Sequence, residues 1–114
     1  MNTMKEIWKP ISGFEELYEV SNLGHIRSLR FNKKHILKPQ LNNCGYLIAH
    51  LRKDNKLYQR LVHRLVAFAF VKNTNPEKYI EVNHIDECKV NNSAVNLQWC
   101  THAYNINYGT RGAR

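Results

Sequence analysis

One stretch of the sequence, residues 82–106, concentrates side chains that can transfer protons or bind a metal ion. It contains the runs Val82 to Asp86, Asn91-Asn92, Asn96 to Trp99 and Asn105-Ile106. Within it His84 is the candidate for proton transfer, because a neutral imidazole with an ordinary pKa of about 6.5 can take a proton from water near neutral pH. Amide oxygens, which the asparagines supply, suit hard cations such as Mg²⁺ or Mn²⁺.

These residues need a scaffold, and the pattern around them predicts a compact ββα unit. We expect a short strand from Ile80 to His84, a turn-rich loop, a second strand from Asn96 to Cys100, and a final short helix with Thr101 as its N-cap. The preceding segment, His63 to Val71, has helical spacing of apolar residues and predicts a mostly buried helix. Its predicted core residues are Leu65, Val66, Phe68 and Phe70.

The first half of the chain predicts β-hairpins. Leu17 to Val20 and His25 to Arg30 flank a turn, and Tyr46 to Leu51 and Leu57 to Val62 flank a polar one.

The charge of the chain points to a polyanionic partner. The net charge is +8, with eleven basic and five acidic residues in positions 1–62 against six and four in positions 63–114. Such an excess attracts nucleic acid. A solvated surface that keeps the protein in solution is the alternative interpretation of the same charge.

Composition excludes several other classes. The 114 residues fit one domain, and no apolar run approaches the ~20 residues that cross a bilayer. The N-terminus lacks the apolar stretch of a secretion signal, so we expect an intracellular, reducing location. Three cysteines without a C-x-x-C pair do not suggest a disulfide framework. A structural zinc site on Cys88, Cys100 and His102 would be one ligand short.

The order and spacing of the C-terminal motifs resemble the HNH endonuclease family, particularly its phage and intron-homing members. The signature of that branch runs V-H-R-L-V-A-x-x-F, N-H-x-D, N-N, N-L-x-W and a final N. The corresponding segments here are Val62 to Phe70, Asn83 to Asp86, Asn91-Asn92, Asn96 to Trp99 and Asn105.

The N-terminal part resembles the small β-hairpin module that often precedes HNH domains in homing enzymes. It matches through Trp8 to Ile11, Tyr18 to Gly24 and the basic strand His25 to Arg30. Together the resemblances imply an α+β fold in which short antiparallel β-hairpins precede a small ββα-metal (HNH) unit. We expect residues 1–62 to form the hairpin module that contacts DNA and residues 63–114 to form the nuclease domain.

The HNH resemblance also implies catalytic roles. His84 would activate the attacking water, and Asn96 would hold the loop of the catalytic site by hydrogen bonds. Asn83 and Asn105 would bind one Mg²⁺ or Mn²⁺ ion, which would stabilise charge on the phosphate and the departing oxygen. Many relatives have Asp where this chain has Asn83, and a neutral ligand attracts a divalent cation less strongly.

The sequence therefore predicts a metal-dependent endonuclease that hydrolyses double-stranded DNA, as a monomer or weak dimer, with no small-molecule cofactor and no membrane partner. We expect it in the cytoplasm of a bacterial host, encoded by a phage or mobile element. The alternative is a DNA-binding module on an HNH scaffold with weak or no catalysis. The predicted DNA contacts are Arg27, Arg30, Lys33, Lys34, Arg52, Lys53, Arg60, His63 and Arg64.

Overall fold

Short antiparallel strands make up most of the N-terminal half of the chain. A computed structural model describes residues 5–109. One sheet contains, in spatial order, β1 (Trp8–Pro10), β2 (Tyr18–Ser21), β3 (Ile26–Ser28) and β4 (His35–Ile36). A second sheet contains β5 (Gln40–Leu41), β6 (Leu47–Lys53) and β7 (Lys56–Leu61). All of these pairings are antiparallel, as the two hairpin patterns predicted.

The hairpin of β6 and β7 closes through a two-residue turn. Asp54 and Asn55 both have positive φ values, 52° and 62°, and Lys53 pairs with Lys56 across the turn. Two successive left-handed residues are typical of the type I′ turn, whose twist matches that of the strands, and Asp and Asn tolerate this conformation well.

Helix α1 (Val62–Phe70) follows β7 directly, and its buried residues are Val62, His63, Val66 and Ala67. The prediction that Phe68 belongs to the core was wrong, because 68% of this residue is exposed. The buried stripe lies on another face of the helix, so Phe68 rests edge-on against Trp99 at a centroid distance of 5.1 Å.

The C-terminal part contains β8 (Glu81–His84), β9 (Leu97–Cys100) and α2 (His102–Ile106). Strands β8 and β9 form an antiparallel hairpin in which His84 pairs with Leu97. The Thr101 hydroxyl accepts a hydrogen bond from the backbone N–H of Tyr104 at 3.1 Å, as expected of an N-cap. With these elements the predicted α+β fold, antiparallel hairpins followed by a ββα unit, is confirmed.

One hydrophobic cluster joins the two halves. It includes Phe14, Tyr18 and Val20 from the first half, Val66 from α1, and Val82 and Leu97 from the ββα hairpin. Burial of this shared apolar surface is the main force that fixes the hairpin of β8 and β9 against the N-terminal sheets. Among the described residues, no helix is long and apolar enough to cross a membrane.

Candidate active site

The end of strand β8 places Asn83 and His84 next to each other in the interior. They are 1% and 4% exposed, respectively. Successive side chains of a strand project from opposite faces, so His84 shares a face with the core residue Val82, whereas Asn83 shares a face with Glu81. The Asn83 amide nitrogen donates a hydrogen bond to Gln98 Oε1 on the paired strand at 2.7 Å.

His84 is oriented by Asn92. Its Nε2 lies 2.8 Å from Asn92 Oδ1, and both side chains are buried. Because a carboxamide oxygen can only accept, Nε2 carries the hydrogen of this bond, and a neutral imidazole then has its lone pair on Nδ1. The structure therefore assigns to Asn92 an orienting contact that the sequence did not predict.

Two further rings pack against His84. The ring centroids of Tyr46 and His63 lie 5.9 and 4.9 Å from that of His84, and 5.1 Å from each other. We call Tyr46, His63 and His84 the ring cluster. Lys89 lies at its edge, with Nζ 5.1 Å from the Tyr46 centroid and 2.9 Å from the Cys44 carbonyl oxygen. Tyr46 and Lys89 carried no sequence signal of a role in the site.

His63 is a second buried imidazole in the ring cluster, and its burial opposes protonation. Burial lowers its pKa to about 4, and the neighbouring His84 and Arg64 act in the same direction. Its Nδ1 is buried without a hydrogen-bond partner among the described residues. A cation at this position would be unsolvated and unpaired, so His63 is neutral at physiological pH.

The loop after His84 is held by Asn96. The Asn96 side chain accepts a hydrogen bond from the backbone N–H of Asp86 at 3.0 Å and donates to Asp86 Oδ1 and the Asn91 carbonyl oxygen, both at 2.9 Å. The Asp86 carboxylate also accepts from the Asn91 amide and the Cys88 backbone. These hydrogen bonds, that from Asn91 first, lower the pKa of Asp86. Asp86 thus stabilises the loop as a carboxylate.

Helix α2 brings Asn105 to strand β8. The Asn105 amide nitrogen donates to Glu81 Oε1 at 2.9 Å, and His102 Nδ1 lies 2.6 Å from Glu81 Oε2. The hydrogen bond from Asn105 lowers the pKa of Glu81, as does the contact with His102. Since Glu81 and Asn83 share one face of β8, Asn105 approaches the face that carries Asn83.

The oxygen atoms that Asn83, Asn105 and Glu81 offer suit a hard cation better than they suit zinc. Within residues 5–109, no group of three or more His, Cys, Asp and Glu side chains is arranged to hold a metal ion. Cys88, Cys100 and His102, the three residues from which an incomplete zinc site could be drawn, do not form such a group. Amide oxygens of Asn83 and Asn105, with the Glu81 carboxylate beside them, are instead oxygen donors of the kind that Mg²⁺ and Mn²⁺ prefer.

The N-terminal half contacts the loop that carries Asn92. The Asn22 carbonyl oxygen accepts a hydrogen bond from Ala94 N at 2.7 Å. Gly24 has a φ of +91°, and a Cβ atom there would lie 3.0 Å from Asn92 Cβ and 3.1 Å from its carbonyl oxygen. Glycine thus meets both the backbone conformation and the close approach.

The predicted DNA contacts occupy different environments. Lys33, Lys34, Arg52 and Arg60 are exposed, and Arg30 lies over the exposed Phe31 ring at 5.2 Å. Two further cations bind backbone carbonyls, Lys53 that of Gly13 and Arg64 that of Ile80.

Arg27 and His63 differ from these residues. Arg27 stacks on Trp8 and forms a 2.6 Å ion pair with Glu19, so its charge is compensated within the protein. His63, only 6% exposed, lies beside His84 instead of on the basic surface.

The chain matches one known motif and is similar to several HNH endonucleases. The NUMOD4 motif matches residues 6–52. The chain is 41% identical over 111 residues to an uncharacterized HNH endonuclease of Acanthamoeba polyphaga mimivirus, covering 95% of this chain and 27% of that protein. It is 40% identical over 106 residues to DNA endonuclease I-HmuI of Bacillus phage SP01, covering 92% of this chain and 59% of that protein.

The H-N-H endonuclease F-TflII of Escherichia phage T5 is 33% identical over 92 residues. The solved structure of the HNH homing endonuclease I-HmuI, which binds and cleaves DNA, superposes with a TM-score of 0.82 at 38% identity. The superposed region is 95% of this chain and 60% of the I-HmuI chain. The chain thus spans about a quarter to three fifths of the length of these relatives. The chain thus carries a NUMOD4 motif and is a homologue of HNH endonucleases in both sequence and structure.

Proposed function

We propose that this protein is a metal-dependent DNA endonuclease that hydrolyses phosphodiester bonds. The observation that carries the proposal is the environment of His84, a buried imidazole at the end of β8 whose Nε2 is held by Asn92 at 2.8 Å. A fixed tautomer with the lone pair on Nδ1 is the form that removes a proton from water.

Asn83 and Asn105 are the proposed ligands of one divalent ion, Mg²⁺ or Mn²⁺. HNH endonucleases generally use a divalent metal. When bound, the ion acts as a Lewis acid toward the phosphate and the departing oxygen. Asn83 and His84 are consecutive, with Cα atoms about 3.8 Å apart, so the proposed metal ligand and the proposed base are neighbouring residues at the end of β8.

Asn96 supports catalysis through the loop. Its three hydrogen bonds to Asp86 and Asn91 fix the backbone that directly follows His84. Asn92 lies in the same loop, so this network also holds the residue that orients the imidazole.

Double-stranded DNA is the proposed substrate. Exposed cations contact phosphates without reading bases, and residues 1–62 form the proposed DNA-contacting module, with residues 63–114 as the nuclease unit. Lys89 joins the proposed contacts because it lies at the edge of the ring cluster. The proposed contacts from the sequence are Arg27, Arg30, Lys33, Lys34, Arg52, Lys53, Arg60 and Arg64, with His63 assigned to the ring cluster.

The cellular setting is also a proposal. Relatives from phages SP01 and T5 support action inside an infected bacterium. The protein is proposed to act as a monomer or weak dimer without a small-molecule cofactor.

Plasmid cleavage in a panel of divalent ions tests the proposal. We expect nicked or linear product with Mg²⁺ or Mn²⁺, none with a chelator, and a loss of at least 10²-fold in His84→Ala, within the usual contribution of a general base. His50→Ala is the matched control, since His50 lies in β6 outside the ring cluster. DNA binding should survive in both variants.

The same assay contains the result that would overturn the proposal. DNA binding without cleavage by the wild-type protein in Mn²⁺ would favour a DNA-binding module on an HNH scaffold, consistent with a neutral ligand at Asn83.

A further inference from the structure

Two amide side chains at the proposed metal site are held in the same manner. Asn83 donates its amide hydrogen to Gln98 Oε1 at 2.7 Å, and Asn105 donates to Glu81 Oε1 at 2.9 Å. A carboxamide has its nitrogen and its oxygen on opposite sides, so fixing the nitrogen also fixes the direction of the oxygen. Gln98 and Glu81 therefore determine the orientation of both proposed ligands.

The two acceptors differ in charge, and the difference matters for a cation. Both proposed ligands are neutral, and neutral oxygens attract a divalent ion less strongly than carboxylates do. Glu81 adds a carboxylate one hydrogen bond away from Asn105. Its second oxygen is braced by His102 Nδ1 at 2.6 Å, which holds the carboxylate in place.

Asp86 is another carboxylate in this part of the chain, and its surroundings give it another role. Its oxygens accept hydrogen bonds from the Cys88 backbone and from the Asn91 and Asn96 side chains. Those bonds are directed into the loop. Glu81, in contrast, bonds directly to a proposed metal ligand.

We propose that Glu81 is a positioning residue that orients Asn105 and supplies the negative charge through which this site attracts its divalent ion. The inference rests on the proposed function, and it assigns to Glu81 a task that a carboxylate at position 83 would otherwise perform. Hydrogen-bond partners of metal ligands typically contribute 10–100-fold to metal affinity. An effect of that size is expected on removal of the Glu81 charge.

Titration with Mn²⁺ alone, followed by calorimetry and by the electron paramagnetic resonance signal of free Mn²⁺, tests the inference on the full chain. Glu81→Gln keeps an oxygen that can accept from Asn105 but lacks the charge, so Mn²⁺ affinity should fall 10–100-fold. Glu81→Asp keeps the charge and should bind more tightly than Glu81→Gln. The matched control is Glu77→Gln, which removes the same charge from an exposed residue outside β8 and α2 and should bind as the wild type does.

Cleavage measured against Mn²⁺ concentration gives a second readout. Glu81→Gln should need 10–100-fold more Mn²⁺ for half-maximal cleavage yet approach the wild-type kcat at saturation, because His84 and Asn92 are unchanged. A purely structural defect would lower kcat at every concentration.

The results for the wild type and the Glu81 variants distinguish failure of the Glu81 inference from failure of the proposed endonuclease function. If the wild type binds Mn²⁺ and cleaves DNA while Glu81→Gln binds Mn²⁺ within twofold of it, the inference is overturned and the endonuclease proposal stands. If Glu81→Gln binds more tightly than Glu81→Asp, the charge argument is overturned. A wild type that neither binds Mn²⁺ nor cleaves overturns both.

Discussion

The pH dependence of stability should reveal the buried, neutral state of His63. Burial lowers its pKa to about 4 in the folded protein, against about 6.5 in an unfolded chain. Between these values the unfolded chain binds a proton that the folded protein does not, so acid shifts the equilibrium toward unfolding. Stability from this source is full above pH 6.5 and is lost progressively as the pH falls toward 4.

The size of the effect follows from the pKa difference. Linkage gives a loss in the free energy of unfolding of about 2 kcal/mol at pH 5 and about 3 kcal/mol at pH 4, relative to pH 8. These losses are a substantial part of the 5–15 kcal/mol that typically stabilises a domain.

Urea unfolding at pH 8, 6.5 and 5 measures this loss, with His63→Phe as the comparison. Phenylalanine keeps an aromatic ring between Tyr46 and His84 but has no titratable nitrogen. Every other residue is the same in the two proteins, so the difference between the two curves reports on position 63. We expect the wild type to lose about 2 kcal/mol more than the variant between pH 8 and pH 5. Parallel curves would refute the assignment of a buried neutral imidazole.

Three more predictions follow from the contacts described. Asn96→Ala removes three hydrogen bonds and should lower the free energy of unfolding, measured in urea, by about 3 kcal/mol. Asn91→Ala removes one side-chain hydrogen bond and should lower it by about 1 kcal/mol. Equal losses in the two variants would contradict the role of Asn96. If Lys33 and Lys34 contact phosphates, replacing both by Ala should reduce the slope of log affinity against log salt by about 2, and an unchanged slope in DNA-binding titrations would exclude them. Gly24→Ala should lower kcat at saturating Mn²⁺ by displacing Asn92, whereas Gly13→Ala, also at positive φ but with open space around it, should leave kcat unchanged.

Local signals in the sequence predicted much of the fold. The Thr101 cap, the polar turn at Asp54-Asn55 and the antiparallel hairpins depend on residues close together in the chain, and each is present. Such features follow from backbone geometry and short-range hydrogen bonds, which the order of residue types reveals directly.

Helix α1 shows where periodicity misleads. Leu65, Phe68 and Ala69 have helical spacing, yet the buried face runs through Val62, Val66 and Ala67. A nine-residue helix rich in apolar side chains offers more than one apolar stripe, and the neighbouring sheet and hairpin determine which stripe is buried.

The candidate site was predicted through its motif residues but not through their partners. His84, Asn83, Asn96 and Asn105 were singled out, and their catalytic and metal-binding roles stay predictions. Contacts that connect distant parts of the chain were not predictable. Tyr46, directly before β6, contacts His84 across 38 positions of the sequence, and no local pattern indicates that contact.

The contact between Gly24 and Asn92 bears on how such proteins can be recombined. The turn of Gly24 abuts the residue that aims the His84 imidazole, although the two belong to different halves of the chain. In a chimera that joins this C-terminal half to the hairpin module of another protein, the turn of that module would take the place of the Gly24 turn beside Asn92. Unless that turn also has a glycine at the point of contact, the transplanted half would fold against a bulkier neighbour and hold its imidazole in a displaced pose.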